Sequence, residues 1–86
     1  MVIYLHRNFK KRYKKLSPSY RKKFKERRDL FLKDPFHSLL HNHVLFGTYD
    51  GFRSINIGGD VRVLYEQIDD DTVLFITIGT HSDLYE

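Results

Sequence analysis

Residues 51–85 read GFRSINIGGDVRVLYEQIDDDTVLFITIGTHSDLY, and this stretch decides the fold. Arg53, Ile55 and Ile57 alternate with Ser54 and Asn56, the two-residue period of a strand. Gly58-Gly59 is a strong signal for a two-residue hairpin. Beyond it Val61, Val63 and Tyr65 alternate with Arg62, Leu64 and Glu66, a second strand. Asp69-Asp70-Asp71 turns the chain where like charges face water. Thr72 to Ile78 is almost wholly apolar, which predicts a central strand covered on both faces. Together these segments predict an antiparallel three-stranded meander. Its last strand runs into Gly79-Thr80-His81, leaving an imidazole at the strand end.

The upstream part reads as a basic support for this sheet. Val2-Ile3-Tyr4-Leu5 is β-branched and aromatic, which predicts an N-terminal strand at one edge. Asn8 is placed to cap a first helix, on which Phe9, Tyr13 and Leu16 recur at helical spacing. Ser17-Pro18 restarts the chain as a second helix: serine caps, and proline suits the first helical position. Tyr20, Phe24, Phe31 and Leu32, with Leu30 as a further candidate, are its expected inner face, and Arg27 and Arg28 cover the core edge through their aliphatic parts. Asp34-Pro35 stops it, because a residue before proline avoids the helical region. Residues 36–48, FHSLLHNHVLFGT, read as a loop with one helical turn lying against the core. The expectation is an α+β fold over residues 1–86, one domain: a strand, two antiparallel basic helices on one face, then the meander.

With 86 residues there is room for one small core, and a partner that stabilises it is in keeping with that size. There is no cysteine, hence no disulfide framework and no thiolate metal site. No stretch is long and apolar enough to span a membrane, and the short apolar start does not read as a signal peptide. The net charge of +4 hides an asymmetry. Residues 1–33 hold 13 cations against two acids, a net +11, while residues 34–86 hold two cations against nine acids, a net −7. A half this basic points to a polyanion or an acidic protein. A solvated helical face would carry the same charges.

Around the strand end sit groups able to handle a phosphodiester. Histidine is suited to proton transfer near neutral pH, and a phenol donates to an oxygen or stacks on a base. His81 and Tyr85 are four residues apart. Arg53 and Arg62 lie on adjacent strands and suit a phosphate. Asp60 opens the strand that carries Arg62 and serves as a partner for arginine or as a base. Such a set fits metal-free RNA cleavage, in which a base takes the 2′-hydroxyl proton, arginines neutralise the phosphorane and an acid protonates the departing 5′ oxygen. Each member also has a plainer use: His81 as a surface or capping residue, Asp60 as a turn residue, the arginines as partners of local acids, Tyr85 as a core aromatic. His37, His41 and His43 are spaced H-x3-H-x-H with only Asp34 near, a poor ligand set, so no metal and no cofactor is expected.

The ordered set His43, Leu45, Gly47, Tyr49, Gly51, Arg53, Gly59, Asp60, Arg62, Tyr65, Gly79, Thr80, His81, Leu84 and Tyr85 resembles the RelE/ParE superfamily of bacterial toxin–antitoxin toxins, and within it the RelE-like and YafQ-like mRNA interferases. The resemblance implies a cytoplasmic toxin that enters the ribosomal A site and cleaves mRNA there. It implies His81 as the acid–base group, Asp60 as the acidic position after the hairpin, Arg62 as the phosphate-binding arginine and Tyr85 as the C-terminal aromatic. Arg53, His43, Tyr49, Lys10, Lys11, Lys14, Lys15 and Lys22 are the expected phosphate- or RNA-binding residues. The implied partners are a cognate antitoxin, in an oligomeric complex, and the ribosome with its RNA. Asn56 stands where YafQ-like toxins have a second histidine, Val61 where they have tryptophan and Thr77 where they have arginine. The alternatives are a gyrase-inhibiting toxin of the ParE kind and a toxin fold that binds with weakened cleavage.

Overall fold

The computed structural model describes residues 1–85. The chain runs β1 (Val2–Leu5), α1 (Arg7–Tyr13), α2 (Pro18–Lys33), a short helical turn, β2 (His43–Val44), a second helical turn, β3 (Arg53–Gly58), β4 (Val61–Asp69), β5 (Thr72–Thr80) and α3 (His81–Tyr85). The α+β expectation holds, with one strand more than predicted. Five strands form one sheet in the order β1-β5-β4-β3-β2. β1 lies at an edge, parallel to β5, and β3, β4 and β5 form the antiparallel meander.

The helix signals act largely as the residues suggest. The Ser17 side chain accepts the Tyr20 N–H, Pro18 opens α2, and extended Asp34 closes it. The first cap differs from expectation: His6, not Asn8, caps α1, its ring nitrogen Nδ1 accepting the Asn8 N–H at 3.0 Å. α1 ends at Tyr13, so Leu16 packs on the core from the turn beyond it. On α2 the candidate Leu30 packs inward, while Leu32 is exposed, because it lies one position off the buried face. Arg27 and Arg28 are half-buried as expected, with the Arg28 guanidinium 6.0 Å from the Phe24 ring centre.

One face of the sheet closes against the helices. Phe9, Phe24 and Phe31 meet Ile55, Ile57, Val61, Val63, Tyr65, Val73, Phe75 and Ile78 in one core. Phe75 is its hub, with ring centres of Phe9, Phe24, Phe31 and Tyr65 between 5.7 and 6.1 Å away. The opposite face holds only a small second core, Leu45, Leu64 and Leu84, flanked by Tyr49 and Phe52. β5 is therefore interior in the sheet but not covered on both faces: Val73 and Phe75 are buried while Leu74 and Ile76 between and after them are only half so.

Residues 36–48 are more ordered than a loop. The turn Ser38–Leu40 buries Leu40, and His43–Val44 pairs with Ser54 and Arg53 as the outer strand β2. Leu45 is buried as well, but Phe36, Leu39 and Phe46 are exposed rather than packed on the core. The hairpin turn is one residue later than expected, at Gly59-Asp60. A Cβ on Gly59, at φ +52°, would come within 2.8 Å of the Tyr20 hydroxyl oxygen, so the hairpin docks closely on α2.

Candidate active site

Register decides which side chains share a surface, because residues directly opposite on neighbouring strands point to the same face. Asn56 pairs with Arg62 and Arg62 with Gly79; beside this row, His43 pairs with Ser54, Ser54 with Leu64 and Leu64 with Thr77. These two rows make the face turned away from α1 and α2. Asn56 and Arg62 thus stand side by side, and the hairpin brings Asp60 to the same end of the sheet. The Asp60 carbonyl accepts the His81 N–H at 3.0 Å, which ties the start of α3 to the turn. Asp60, Arg62, His81 and Tyr85 therefore lie at the same end of the sheet.

Arg62 donates through Nη1 to the carbonyls of Gly59 and Val61, at 3.0 and 3.3 Å. Among the described residues no acid lies within ion-pair distance of it, so its charge stays available to a phosphate. His81 is exposed, and its ring centre is 4.6 Å from that of Tyr85. Tyr85 in turn meets the Tyr49 ring edge-on at 5.6 Å.

α3 is five residues long, far below the length at which a helix holds itself in water, so its contacts must hold it. At its start Thr80 and Asp83 form a capping box: the Thr80 N–H donates to the Asp83 carboxylate and the Asp83 N–H to the Thr80 hydroxyl, both at 3.1 Å. The Thr80 N–H, the Thr80 hydroxyl and the Arg12 charge hold the Asp83 carboxyl below its ordinary range. Gly79 makes room for this packing, since a Cβ there would lie 3.1 Å from Asp83 and 3.3 Å from Arg12. At the far end the Tyr49 hydroxyl donates to the Leu84 carbonyl at 2.7 Å, and Leu84 is buried. Tyr49, expected among the RNA-binding residues, thus braces the helix that carries His81 and Tyr85.

Arg53 is not brought to this site. It pairs with Tyr65 in register and so lies on the helix face. Its Nε donates to Asn42 Oδ1 at 2.8 Å, its guanidinium sits 5.3 Å from the Phe36 ring centre, and Asn42 in turn donates to the Tyr65 hydroxyl. It is a brace for β2 and the preceding turn. His43 is exposed on the site face; its Nδ1 donates to the His41 carbonyl at 2.7 Å, which leaves Nε2 outward. Among the described residues no group of histidine and acid side chains is arranged to hold a metal ion.

The three departures now have places. Val61 is 2% exposed and belongs to the helix-side core, so it presents nothing to the site. Thr77 is on the site face but buried, and its hydroxyl oxygen has no hydrogen-bond partner. Asn56 alone of the three is half-exposed beside Arg62.

Where β5 runs on past its pairing with β1, a cavity of about 360 Å³ opens between α1 and the sheet, lined by Asn8, Lys11, Arg12, Lys15, Gly79 and Asp83 among others. Lys10, Lys11, Lys14 and Lys15 line a neighbouring hollow along α1, and Lys22 is exposed on α2. Of the 13 cations in residues 1–33, Arg28 alone is paired with an acid among the described residues. The basic surface is thus largely unneutralised and reaches the site through Arg12. Arg12 and Asp83 were not among the expected site residues; the Thr-x-x-Asp spacing of a capping box was the signal available for Asp83.

Residues 1–86 match the family described as bacterial toxin of type II toxin-antitoxin system, YafQ. Crystalline YafQ from E. coli strain BL21(DE3) is similar with a TM-score of 0.83 and 22% identity, over 98% of this chain and 97% of that one. YafQ in the E. coli DinJ-YafQ complex gives 0.79 and 22%, over 98% and 96% of the two chains. A chain of the archaeal RelE-RelB complex from Pyrococcus horikoshii OT3 gives 0.73 and 22%, over 92% of each. No curated protein sequence matches the chain. With the family model spanning every residue and the fold shared with toxins of this kind, the chain belongs to the YafQ family of bacterial type II toxin–antitoxin toxins.

Proposed function

We propose that this toxin is a ribosome-dependent endoribonuclease that cleaves mRNA in the A site with protein groups alone. The observation that carries the reading is the meeting of Asp60, Arg62, His81 and Tyr85 at one sheet end, next to the unneutralised cations of α1. In the reaction the Asp60 carboxylate takes the 2′-hydroxyl proton while the 2′ oxygen bonds to phosphorus. Arg62 meets the charge on the phosphorane oxygens. The bond from phosphorus to the 5′ oxygen breaks, and protonated His81 gives that oxygen its proton. The products are a cyclic 2′,3′-phosphate and a 5′-hydroxyl. Tyr85 orders the His81 ring and offers a face to a base.

The basic helices bind ribosomal RNA through its phosphates, a mode that weakens with salt. Two relatives were solved as complexes, YafQ with DinJ and RelE with RelB. By that likeness a cognate antitoxin covers this surface in an oligomeric complex. On this reading the chain acts on ribosomes in the cytoplasm.

A second reading, a toxin fold that binds without cleaving, draws on Val61 turned into the core and Thr77 buried. Primer extension of mRNA after induced expression separates the two. Wild type is expected to give discrete cleavage stops, and Arg62→Ala or His81→Ala to remove them. Growth arrest with intact mRNA in wild type would reject the nuclease.

A further inference from the structure

Phe46 is 78% exposed, the most exposed large apolar side chain among the described residues. Its exposure does not come from a loose loop. The Leu45 N–H donates to the Phe52 carbonyl at 2.8 Å, closing the segment at its base. Within it Asp50 N–H donates to the Gly47 carbonyl and Phe52 N–H to the Tyr49 carbonyl, both at 3.0 Å. Gly47 takes φ +73°, a conformation that favours glycine, and the Tyr49 hydroxyl anchors the turn to α3. Phe46 is therefore held out into solvent by a fixed backbone.

It faces a hollow of about 320 Å³ that it lines together with Thr48, Tyr49, Leu84 and Tyr85. Phe46 and Tyr85 both border this space, yet among the described residues Phe46 makes no ring contact with another aromatic side chain. Two aromatic rings thus border one open hollow without a ring contact between them. The Tyr85 ring also lies 4.6 Å from that of His81, so a group seated here lies near the proton-transfer residue. Thr48 adds a hydroxyl, a donor and acceptor for the edge of that group.

We propose that this hollow is a nucleobase subsite, in which a base flanking the cleaved phosphodiester stacks between Phe46 and Tyr85 and meets Thr48 at its edge. The inference rests on the RNA-cleaving reading for its ligand. Stacking on an aromatic side chain tolerates any base, and the hydroxyl adds a preference among them. Phe46 is then a binding residue of this chain that sets how well, and in which sequence context, RNA is held.

The test is a titration of the full chain, followed through the ring protons of Phe46 and Tyr85 by nuclear magnetic resonance. The ligand is deoxyadenylyl-deoxyadenosine, which lacks the 2′-hydroxyl and cannot be cleaved; ribose 5-phosphate is the control without a base. Both rings are expected to shift upfield with the dinucleotide and not with the control. Phe46→Ala should abolish the Tyr85 response, and Phe46→Tyr should keep it. On programmed ribosomes Phe46→Ala should raise KM on the order of tenfold, with kcat little changed. A Tyr85 ring that ignores the dinucleotide, or follows it equally well in Phe46→Ala, overturns the subsite. Base-dependent shifts together with no cleavage of mRNA by wild type leave the subsite standing and reject the nuclease reading alone.

Discussion

The two faces of the sheet are built to different standards. The helix face is a closed core, in which Phe75 alone touches four aromatic rings and Ile55, Ile57, Val63, Val73 and Ile78 are fully buried. The other face has three buried leucines, an unsatisfied threonine hydroxyl and a five-residue helix held by a handful of contacts. The difference teaches where stability resides and where the proposed chemistry has room. One face carries the free energy of folding; the other presents Asp60, Arg62, His81 and Tyr85 and takes its order from a few named hydrogen bonds. Substitutions on the first face should therefore unfold the protein, and those on the second should change its activity first.

Phe75→Ala should break the comparison hardest, costing about 3–5 kcal/mol, a large part of the ~5–15 kcal/mol that holds a domain together. Chemical denaturation measures it, and a loss below 1 kcal/mol would mean the helix face is not the foundation. Tyr49→Phe keeps the ring and removes one hydrogen bond to Leu84, so it should cost about 1 kcal/mol. Its sharper sign is faster amide exchange confined to α3, with β4 and β5 unchanged. Thr77→Val should act the other way. It removes a buried hydroxyl that has no partner, and stability should rise by about 1 kcal/mol in the same denaturation experiment.

The smallest effect is in acid. Asp83 is held below the ordinary carboxylate range chiefly by the Thr80 N–H, so its contribution is present above the unfolded value near pH ~4 and lost as pH falls through the lower folded value. Amide exchange at α3 should accelerate in that window in wild type. In Asp83→Asn, which keeps an acceptor but cannot titrate there, the acceleration should be absent.

Much of the fold could be read from local chemistry. Ser17-Pro18 and Asp34-Pro35 bound α2 because capping and proline geometry are decided within a few residues. The apolar alternation in β3 and β4 placed the sheet. It also held a fact that family likeness obscured: Arg53 shares its period with Ile55 and Ile57, and it does lie on their side. β2 was missed because two residues carry no period, and their strand character comes only from pairing with β3. Strict alternation also fails where the register shifts, between Asn56 and Gly58 and between Leu64 and Tyr65. At the site, Asp60, Arg62, His81 and Tyr85 stand out in the sequence by residue type and order. The brace of Tyr49 on Leu84, 35 residues away in sequence, needed the folded chain.

The central claim is that His81 serves chemistry and not folding. Its most direct test pairs two readings on one variant, the single-turnover rate of mRNA cleavage on programmed ribosomes and the thermal midpoint of His81→Ala against wild type. The expected result is a rate lower by about 10²–10⁴-fold with a midpoint unchanged within a few degrees, since an exposed ring gives little to stability. A variant that cleaves at the wild-type rate, or loses activity only in step with its unfolding, would contradict it.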